Sequence, residues 1–296
     1  MSANVRTYWI HALTPLHVGA GEGAGFIDLP VMREKATSWP VIPGSSVKGV
    51  LADSYSATPE ARRKDVNLRA AFGMADAAED GSANSGALVF SDARVVFVPI
   101  RSLYGTFAWV TSALALRRLK RDLEDAGMGG DLTVDCPGDD DIEVPAGVDS
   151  QLVGSGKVYL SDLDFKAKES QEAAGWASAV AKWVFPDEEA WREEFAKRFA
   201  LVSESVFDFL CTTGTEVTPR IRIDEKSKTV AEGQLWYEES LPSETVAAGL
   251  VWCDRVYTKD AKKGTELLDD YCSGTKRLQI GGKATVGRGR VRCLFA

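Results

Sequence analysis

The sequence predicts an α+β fold built around one large core. Strand-like stretches rich in β-branched and aromatic residues are interleaved with segments of helical periodicity. Long insertions lie between them, and the order lacks the regular strand–helix alternation of a doubly wound sheet. The chain has 296 residues, of which 45% are hydrophobic, so it can bury a sizeable core. No repeat and no convincing linker divides the sequence, so we treat residues 1–296 as one domain.

The first predicted element is a strand at residues 5–13, "VRTYWIHAL", which is aromatic and β-branched. Residues 46–57 follow as a short helix, which Ser45 or Ser46 can cap and whose apolar side chains share one face. Residues 87–99, "ALVFSDARVVFVP", predict one or two strands. A long loop region therefore separates the first strand from the first helix.

The rest of the chain continues to mix helical and extended patterns. Residues 107–125, "FAWVTSALALRRLKRDLED", predict a helix with an apolar stripe, and residues 129–150, rich in Gly, Asp and Pro, predict a loop. "KVYLSDLDF" predicts another strand. The later elements are a helical segment at 187–211, strands at 216–223, 228–238 and 246–254, a helix near 260–272, and two closing strands, "KRLQIGG" and "GRVRCLF".

Composition and charge exclude several classes of protein. The sequence has no run of about 18 apolar residues, which excludes a transmembrane helix, and its N-terminus lacks the pattern of a signal peptide. The five cysteines show neither a C-x-x-C pair nor zinc-ligand spacing, so we expect reduced thiols in a cytoplasmic protein. The net charge of −8 argues against nucleic-acid binding through bulk charge, although residues 276–296 carry six basic residues and no acidic one.

Residues 19–25, "GAGEGAG", form a glycine-rich loop shortly before Asp28. Glycine lets the backbone adopt positive φ angles and lets a ligand approach closely, so such a loop can cradle a phosphate. No G-K-[ST] follows, which excludes a Walker A loop. The pattern is also that of a flexible hairpin, and a lone loop aspartate commonly makes a turn or a cap. Spacing alone leaves both interpretations open.

A second glycine-bounded loop, "PVIPGSSVKGV", leads into the predicted helix at 46–57. Gly44, Ser45 and Ser46 would present backbone N–H groups at the positive end of the helix dipole, which favours an anion. Lys48 lies in the first turn, where the dipole alone disfavours a cation. A bound phosphate explains this placement, and the alternative is a capped helix with a solvated lysine.

Residues 215–239, "TEVTPRIRIDEKSKTVAEGQLWYEE", alternate between polar and apolar positions. Ile221 and Ile223 point one way, Arg220 and Arg222 point the other way, and "DEKSK" predicts a polar turn. A hairpin with one basic and one apolar face suits a nucleic-acid partner. Any half-buried sheet edge has the same pattern, so this assignment also stays open.

The C-terminal stretch "IGGKATVGRGRVR" combines four glycines with four basic residues. The backbone N–H groups of Gly281 and Gly282, together with Lys283, Arg288 and Arg290, can follow a phosphodiester chain. The alternative is a glycine-rich turn between two strands.

The chain has two histidines. His11 lies within the first predicted strand and suits a structural role. His17 opens the glycine-rich loop and can reach the same cleft as Asp28. No Ser-His-Asp or Cys-His arrangement is apparent.

Three stretches, taken in order, resemble one protein family. They are "LTPLHVGAGEGAGFIDLPVMRE…WPVIPGSSVKGVL", "TEVTPRIRIDEKSKTV…GQLWYEESLPSET" and "IGGKATVGRGRV". The chain resembles the repeated backbone subunit of the type III-B CRISPR effector, the Cmr complex, within the RAMP superfamily. The resemblance runs from about residue 5 to the C-terminus and is weakest between about 120 and 200. The "RE" after Pro-Val-Met and the "LWYEE" segment favour type III-B over type III-A.

The resemblance implies a ferredoxin-like (RRM-like) palm with a helical finger insertion and a β-hairpin thumb. The finger is expected at about 44–75, a further insertion region at about 120–200 and the thumb at about 215–238. In this family, copies stack head to tail along a CRISPR RNA, together with other Cmr subunits and without a membrane. Each thumb displaces a nucleotide of the complementary single-stranded target RNA, which the subunit cuts at regular intervals as an endoribonuclease.

By motif match, the family's catalytic aspartate falls on Asp28, its loop histidine on His17 and its RNA-contacting lysine on Lys48. Tyr237 and either Glu238 or Glu239 match a segment that assists cleavage from an adjacent copy. Further RNA contacts are expected from Gly44, Ser45, Ser46, Arg220, Arg222, Gly281, Gly282, Lys283 and Arg288.

The resemblance also implies that cleavage depends on a divalent metal. An ordinary aspartate, with a pKa of about 3.9, is a weak general base near neutral pH, so Asp28 is either activated by burial or holds Mg²⁺ or Mn²⁺. One carboxylate together with phosphate oxygens suits such an ion, so we expect a metal site that RNA completes. The alternatives are a non-catalytic RNA-binding scaffold in the same assembly and an unrelated hydrolase.

Overall fold

A large mixed sheet, with helices packed against it, forms the body of the protein. The computed structural model describes residues 4–21, 23, 25–56, 58–74, 84–223 and 230–296. The strands are β1 (Val5–Ala12), β2 (Val41–Ile42), β3 (Gly73–Met74), β4 (Asn84–Ser85), β5 (Leu88–Phe90), β6 (Ala93–Arg101), β7 (Phe107–Ser112), β8 (Asp141–Pro145), β9 (Lys157–Leu160), β10 (Leu163–Ser170), β11 (Phe199–Val202), β12 (Glu216–Ile223), β13 (Val230–Ser240), β14 (Val246–Cys253), β15 (Gly274–Gln279) and β16 (Arg290–Phe295). The helices are α1 (Gly44–Ser54), α2 (Pro59–Lys64), α3 (Val66–Phe72), α4 (Ala113–Asp125), α5 (Gln171–Val184), α6 (Glu189–Lys197), α7 (Glu204–Thr213) and α8 (Gly264–Tyr271), with a short 3₁₀ turn at Ala284–Val286.

Twelve of these strands join in one sheet. The order along its main path is β15–β16–β1–β14–β6–β7–β11–β8–β10–β9, with β2 beside β6 and β5 beside β14. The pairs β7–β11 and β8–β10 are parallel, and the other neighbours are antiparallel. The sheet and its helices confirm the mixed α and β architecture that the interleaved sequence patterns predict.

The first strand, β1, lies between β14 and β16 and is buried on both faces. Tyr8 and Ile10 belong to the core cluster to which α1, α3 and α8 contribute, whereas Trp9 belongs to the cluster that includes α4 and α5. Because successive side chains of a strand point to opposite faces, helices cover both sides of the sheet. Burial on both faces explains why the large apolar residues Tyr8, Trp9 and Ile10 follow one another without alternation.

Strands β12 and β13 form a two-stranded hairpin that is separate from the large sheet. The antiparallel register pairs Arg220 with Trp236 and Ile221 with Leu235. The predicted "DEKSK" turn lies outside the described residues. The hairpin that the alternating pattern predicts is therefore present, as a sheet of its own.

The prediction of one helix over residues 107–125 is wrong at its start. β7 occupies Phe107–Ser112 and pairs with β6 on one side and β11 on the other. Trp109 and Val110 are completely buried there. Ser112 then caps α4 by accepting a hydrogen bond from the N–H of Ala115. Packing between two neighbouring strands overrides the helical periodicity of this segment.

Three other predictions of secondary structure are also wrong. The helical segment at 187–211 is interrupted by β11, whose four residues are fully buried; a short buried apolar run carries no periodicity that separates strand from helix. The loop predicted at 129–150 contains β8, and "KVYLSDLDF" forms the hairpin of β9 and β10, not one strand. The sequence patterns predict no element at the position of α5, which lies where the family resemblance is weakest.

Most of the remaining elements confirm the sequence predictions. The first strand corresponds to β1, the helix at 46–57 to α1, the strands at 87–99 to β5 and β6, and the helix near 260–272 to α8. All five cysteines are free; Cys136 is exposed and the other four are buried. None of the described helices combines the length and the apolar character needed to cross a membrane.

Candidate active site at the base of the hairpin

The hairpin base, which we define as residues 237–241, pairs with both ends of the glycine-rich loop. Leu29 forms two backbone hydrogen bonds with β13, at 3.1 and 2.9 Å. Leu16 exchanges two more with the last residue of the hairpin base, at 2.8 and 2.9 Å. The structure therefore brings the neighbours of these leucines, His17 and Asp28, to one place.

The Asp28 side chain is exposed and is oriented by the hairpin base. Its Oδ2 accepts a hydrogen bond from the backbone N–H of Tyr237 at 2.7 Å. Gly23 packs beside it, since a Cβ at Gly23 would lie 3.3 Å from the carbonyl oxygen of Ile27. Within the described part of the chain, no hydrogen-bond donor reaches Oδ1 of Asp28. One carboxylate oxygen is thus fixed and the other is available to a ligand. Because the Asp28 side chain is exposed, the structure gives no support to activation of Asp28 by burial.

His17 is buried, and its ring is fixed by the same strand. Nδ1 of His17 lies 2.7 Å from the carbonyl oxygen of Glu239. Because a carbonyl oxygen only accepts hydrogen bonds, Nδ1 carries a proton, which leaves Nε2 as the ring nitrogen that can accept one. A Cβ on Gly19 would lie 3.0 Å from Nε2, so this glycine leaves space beside it. Asp28 is anchored by the N–H of Tyr237 and His17 by the carbonyl oxygen of Glu239. These two residues of β13 lie about 7 Å apart at the usual rise of a strand.

The two consecutive glutamates of the hairpin base point to opposite faces of β13, as strand geometry requires. Glu239 is 2% exposed. Its Oε2 accepts a hydrogen bond from the N–H of Val31 at 2.9 Å, and its Oε1 lies 2.5 Å from Nη2 of Arg33. Sequence reasoning did not identify Arg33 as part of the site, although the "RE" dipeptide was noted as a mark of the family.

Glu238 faces the other way and binds three donors. Oε1 lies 2.7 Å from both Nζ of Lys283 and Nε1 of Trp236, and Oε2 lies 3.2 Å from Nε of Arg220. Burial acts to raise the pKa of this carboxyl, but the hydrogen bonds from Lys283, Trp236 and Arg220 outweigh it and hold the pKa below its usual range. Glu238 therefore joins the C-terminal glycine-rich loop to the hairpin.

The C-terminal glycine-rich loop supports the backbone of His17. The N–H of Gly282 donates to the carbonyl oxygen of His17 at 2.9 Å. Arg288 also pairs with the hairpin, since its Nη1 lies 2.9 Å from Oε2 of Glu216. Lys283 and Arg288 are therefore matched by hairpin carboxylates, and this loop packs against the candidate site.

The N-terminus of α1 differs from the prediction that Ser45 or Ser46 caps it. The helix starts at Gly44, one residue before the serines, so Pro43 occupies the N-cap position. The side chain of Pro43 makes no capping hydrogen bond. The N–H of Gly44 donates to Oδ1 of Asp92 at 2.9 Å. A carboxylate of the chain itself therefore satisfies a helix N–H at the end where we expected an external anion.

Lys48 is half-buried and points back toward the sheet. Its Nζ donates a hydrogen bond to the carbonyl oxygen of Leu88 in β5 at 2.7 Å. Burial lowers the pKa of Lys48, and the nearby charge of Arg62 lowers it further. The structure thus places Lys48 against β5 and does not bring it to the hairpin base.

The fold and the order of these loops are those of a known family. A family model described as the RAMP superfamily matches residues 9–292. The chain belongs to the RAMP superfamily. The match covers nearly the whole length of the chain, so it confirms the superfamily that the sequence motifs resemble.

This RAMP protein is similar over nearly its whole length to proteins of Cmr complexes. It is 35% identical to the CRISPR system Cmr endoribonuclease Cmr4 of Pyrococcus furiosus, over 96% of this chain and 92% of the relative. The crystal structure of oligomeric Cmr4 from Pyrococcus furiosus has a TM-score of 0.72 and 28% identity, and covers 100% of this chain and 99% of that chain. A chain of the type III-B Cmr-beta cryo-EM structure of the apo state shares the fold, with a TM-score of 0.73, 21% identity and coverage of 99% and 98%.

The hairpin of this RAMP protein exposes apolar side chains. Four of them are between 39% and 55% exposed: Val217, Ile221, Ile223 and Leu235. Arg222 is also exposed on β12. Phe26, directly after the glycine-rich loop, is 74% exposed and lies edge-on to Tyr237 with 6.3 Å between ring centroids. Exposed apolar side chains grouped in this way are typical of an interaction surface, and sequence reasoning missed Phe26 although an aromatic residue among glycines is a visible signal.

Within the described residues of this RAMP protein, no group of three or more His, Cys, Asp or Glu side chains is arranged to hold a metal ion. Asp28 offers a single carboxylate with one oxygen available. Mg²⁺ commonly binds one or two carboxylates and completes its shell with waters and phosphate oxygens. The hairpin base therefore offers one carboxylate oxygen that could serve as a single ligand of a divalent ion.

We expect Gly281→Ala to destabilise this RAMP protein and to displace His17. Gly281 has a φ of +78°, and a Cβ there would lie 2.2 Å from the carbonyl oxygen of His17. The strained backbone alone costs roughly 1–3 kcal/mol, and the collision with backbone adds to it. Gly287→Ala is the matched control, because Gly287 has a φ of +81° and nothing within 4 Å of its Cβ position. Urea unfolding should show the larger loss for Gly281→Ala; equal losses would contradict the close contact with His17.

Proposed function

We propose that this chain is the repeated backbone subunit of a type III-B CRISPR RNA-silencing complex. Copies stack head to tail along a CRISPR RNA, with other Cmr subunits, and cut complementary target RNA at regular intervals. The proposal is supported by membership of the RAMP superfamily and by 35% identity to a protein named Cmr endoribonuclease. The observation that carries it is the attachment of Asp28 and His17 to backbone groups of the same short strand segment.

The proposed architecture assigns a role to each part of the chain. The large sheet around β1 contains a ferredoxin-like palm, the region at about 44–75 is a finger, and the hairpin at about 215–238 is the thumb. A further insertion region occupies about 120–200. The exposed apolar side chains of the hairpin support a thumb that inserts between nucleotides, because bases stack on apolar and aromatic surfaces.

The proposed RNA groove runs between the two glycine-bounded loops. Gly44, Ser45 and Ser46 lie at the start of α1, and the exposed Ser45 can reach a phosphate. Lys48 can bind the same strand once its Nζ leaves the carbonyl oxygen of Leu88. On the hairpin, the exposed Arg222 is available to phosphate, whereas Arg220 first has to share its contact with Glu238.

The chemistry that suits this site uses the nucleophile of the RNA itself. The 2′-oxygen of the target nucleotide attacks the adjacent phosphorus and its proton passes to Nε2 of His17. The bond from phosphorus to the 5′-oxygen breaks, that oxygen takes a proton from water, and the hydroxide that remains takes the proton held by His17. The products are a 2′,3′-cyclic phosphate and a 5′-hydroxyl. Alignment of the reacting groups supplies much of the acceleration, up to roughly 7–11 kcal/mol in ideal cases.

Asp28 is proposed to orient the reacting nucleotide and to bind Mg²⁺ or Mn²⁺ together with an RNA phosphate. A bound divalent ion supplies Lewis-acid stabilisation of the charge on the phosphate oxygens. The hydrogen bond from the N–H of Tyr237 keeps Oδ2 in place, and Oδ1 faces the nucleotide. No acidic side chain of the described site stands ready to protonate the 5′-oxygen, so the expected turnover is slow.

We expect the free chain to bind divalent metal weakly and the RNA-bound complex to bind it well. A titration with Mn²⁺, followed by electron paramagnetic resonance, should give a dissociation constant of about 1 mM or weaker for the free chain. With a target RNA that carries 2′-deoxynucleotides at the cut positions, Mn²⁺ should bind at least about 10-fold more tightly. Asp28→Asn should remove this gain, and Asp162→Asn, on an exposed turn, should keep it. Tight metal binding by the free chain would contradict a site completed by RNA.

The test of the proposed function is a cleavage assay with the complex reconstituted from this chain, its partner subunits and a guide RNA. The native chain should cut guide-complementary RNA in the presence of Mg²⁺ and leave non-complementary RNA intact. Absence of cutting by an assembled complex that binds its target would favour the non-catalytic scaffold.

A further inference from the structure

Glu239 connects three segments of the candidate site through four different groups. Its N–H donates to the carbonyl oxygen of Leu29 at 2.9 Å, and its own carbonyl oxygen accepts from Nδ1 of His17 at 2.7 Å. Its carboxylate binds the N–H of Val31 and the guanidinium of Arg33. Both the segment that carries Asp28 and the ring of His17 are therefore held by one residue.

Arg33 extends this connection beyond the hairpin base. Its Nη1 donates to the carbonyl oxygens of Ser38 and Cys211, at 2.9 and 3.1 Å, while Nη2 binds Glu239. The guanidinium thus links the loop after Asp28 to the end of α7 and to β13. A planar guanidinium can meet three acceptors at fixed angles, which a lysine ammonium on a flexible stem does less well.

The burial of this ion pair points to a role other than stability. The Glu239 side chain is 3% exposed and that of Arg33 is 23% exposed. Removing a carboxylate from water is costly, and well-packed apolar residues commonly stabilise a fold as much as a buried ion pair does. What an ion pair with several directional hydrogen bonds adds is a fixed geometry.

We propose that Arg33 and Glu239 are a positioning pair, which sets the place of Asp28 and His17 within one chain. The inference rests on the proposed RNA cleavage. The family resemblance offers Glu238 or Glu239 as a group that acts on an adjacent copy. The Glu239 carboxylate is instead committed to its own chain, because both oxygens are bound to Val31 and Arg33.

The pair acts through other residues, so its loss should slow the reaction without weakening RNA binding. In Glu239→Gln, the amide oxygen can still accept from the N–H of Val31, but the charge that holds Arg33 is gone. A displacement of about 1 Å at reacting groups can cost about 100-fold in rate. We therefore expect Glu239→Gln and Arg33→Met to lower the single-turnover cleavage rate about 10- to 100-fold, with the dissociation constant for target RNA changed less than about 3-fold.

The experiment uses the reconstituted complex with saturating target RNA. Arg33→Lys, the conservative variant, should recover part of the rate lost in Arg33→Met. The double variant Glu239→Gln/Arg33→Met should be no slower than the worse single variant, because the two residues act as a unit. Asp122→Asn is the matched control: this carboxylate is also buried and paired with an arginine, Arg94, but lies on α4. Its cleavage rate should be unchanged.

A second measurement, on the free chain, tests the positioning role of Glu239 without a cleavage assay. The chain has two histidines, so ¹⁵N spectra of the imidazole rings can be assigned with one substitution. His17 should show the Nδ1–H tautomer in the native chain. His11 should show the opposite tautomer, since Arg292 donates toward its Nδ1 and its Nε2 lies 2.6 Å from Glu244. Glu239→Gln should convert the His17 signal to a mixture of tautomers and leave the His11 signal as it is.

The outcomes separate this proposal from the function on which it rests. If Glu239→Gln and Arg33→Met cut at the native rate while Asp28→Ala is inactive, the positioning role is overturned and the cleavage function stands. If rate, target binding and thermal stability fall together, and fall equally in Asp122→Asn, the pair is merely structural. Undiminished cutting by Asp28→Ala would overturn the proposed active site and the positioning role with it.

Discussion

Asp28→Ala should lower target RNA cleavage by about 100- to 10,000-fold, the range over which positioned acid–base and charge-stabilising groups act. The Asp28 carboxylate is exposed, and one of its oxygens is held by the N–H of Tyr237, so it is oriented before RNA arrives. Alanine removes the oxygen that faces the nucleotide and any metal ligand with it. Binding of guide and target should persist, because Asp28 makes no contact among the described residues that the fold depends on apart from that one hydrogen bond.

The control for this prediction is Asp162→Ala, which removes an exposed aspartate from the turn between β9 and β10. Both variants lose one negative charge from the surface, so any general effect of charge on RNA binding is the same. Cleavage time courses and target-binding curves for the two variants, measured side by side, isolate the local role of Asp28. If Asp28→Ala cleaves target RNA at the native rate, this chain is a non-catalytic scaffold that binds the guide RNA.

A target RNA with a single 2′-deoxynucleotide at one cleavage position should lose that cut and keep the others. The proposed reaction takes its nucleophile from the 2′-hydroxyl, so removing this oxygen removes the reaction itself. We expect at least about a 1,000-fold loss at the modified position, because no attacking group remains in line with the phosphorus. Gel analysis of end-labelled target would show one missing band in an otherwise unchanged ladder.

A 2′-deoxynucleotide two positions away is the control for changes in duplex geometry. It should leave the pattern of cuts intact. Persistent cutting at the deoxynucleotide itself would mean that water attacks the phosphorus. His17 Nε2 would then act on a water molecule, and the product ends would carry a plain phosphate in place of a cyclic one.

The sequence predicted the parts of the site that depend on local chemistry. The glycine-rich loop, the nearby aspartate and the histidine that opens the loop were all visible as a pattern. Backbone pairing of Leu16 and Leu29 with the hairpin base then brings His17 and Asp28 together over more than 200 residues of chain, and only the family resemblance linked those segments in advance.

Other parts of the site depend on contacts that a single sequence does not encode locally. Glu238 and Glu239 are identical residues in adjacent positions, and strand alternation sends one to Lys283 and the other to Arg33. Which face each takes is decided by the register with β12. The sequence predicted Lys48 in the first turn of the helix, but α1 begins at Gly44, so Lys48 is its fifth residue. The orientation of Lys48 toward the carbonyl oxygen of Leu88 depends on where β5 packs.

The wrong predictions of secondary structure at β7 and β11 also arise from contacts between distant parts of the chain. "FAWVTS" has the periodicity of the helix that follows it, and its position between β6 and β11 makes it a strand. The four residues of β11 are too few to show any period. In both cases the tertiary neighbours decide the secondary structure.

The most direct test of the central claim, that each copy of this chain cuts RNA at the base of its own hairpin, is to map the cut sites on guide-complementary RNA. On the proposed head-to-tail stacking, complexes assembled on longer guides should hold more copies of the chain. Cleavage by every copy should give a ladder of 5′-hydroxyl ends with constant spacing, which gains one cut for each added copy and disappears with Asp28→Ala. A single cut that ignores guide length, or a ladder that survives Asp28→Ala, would contradict it.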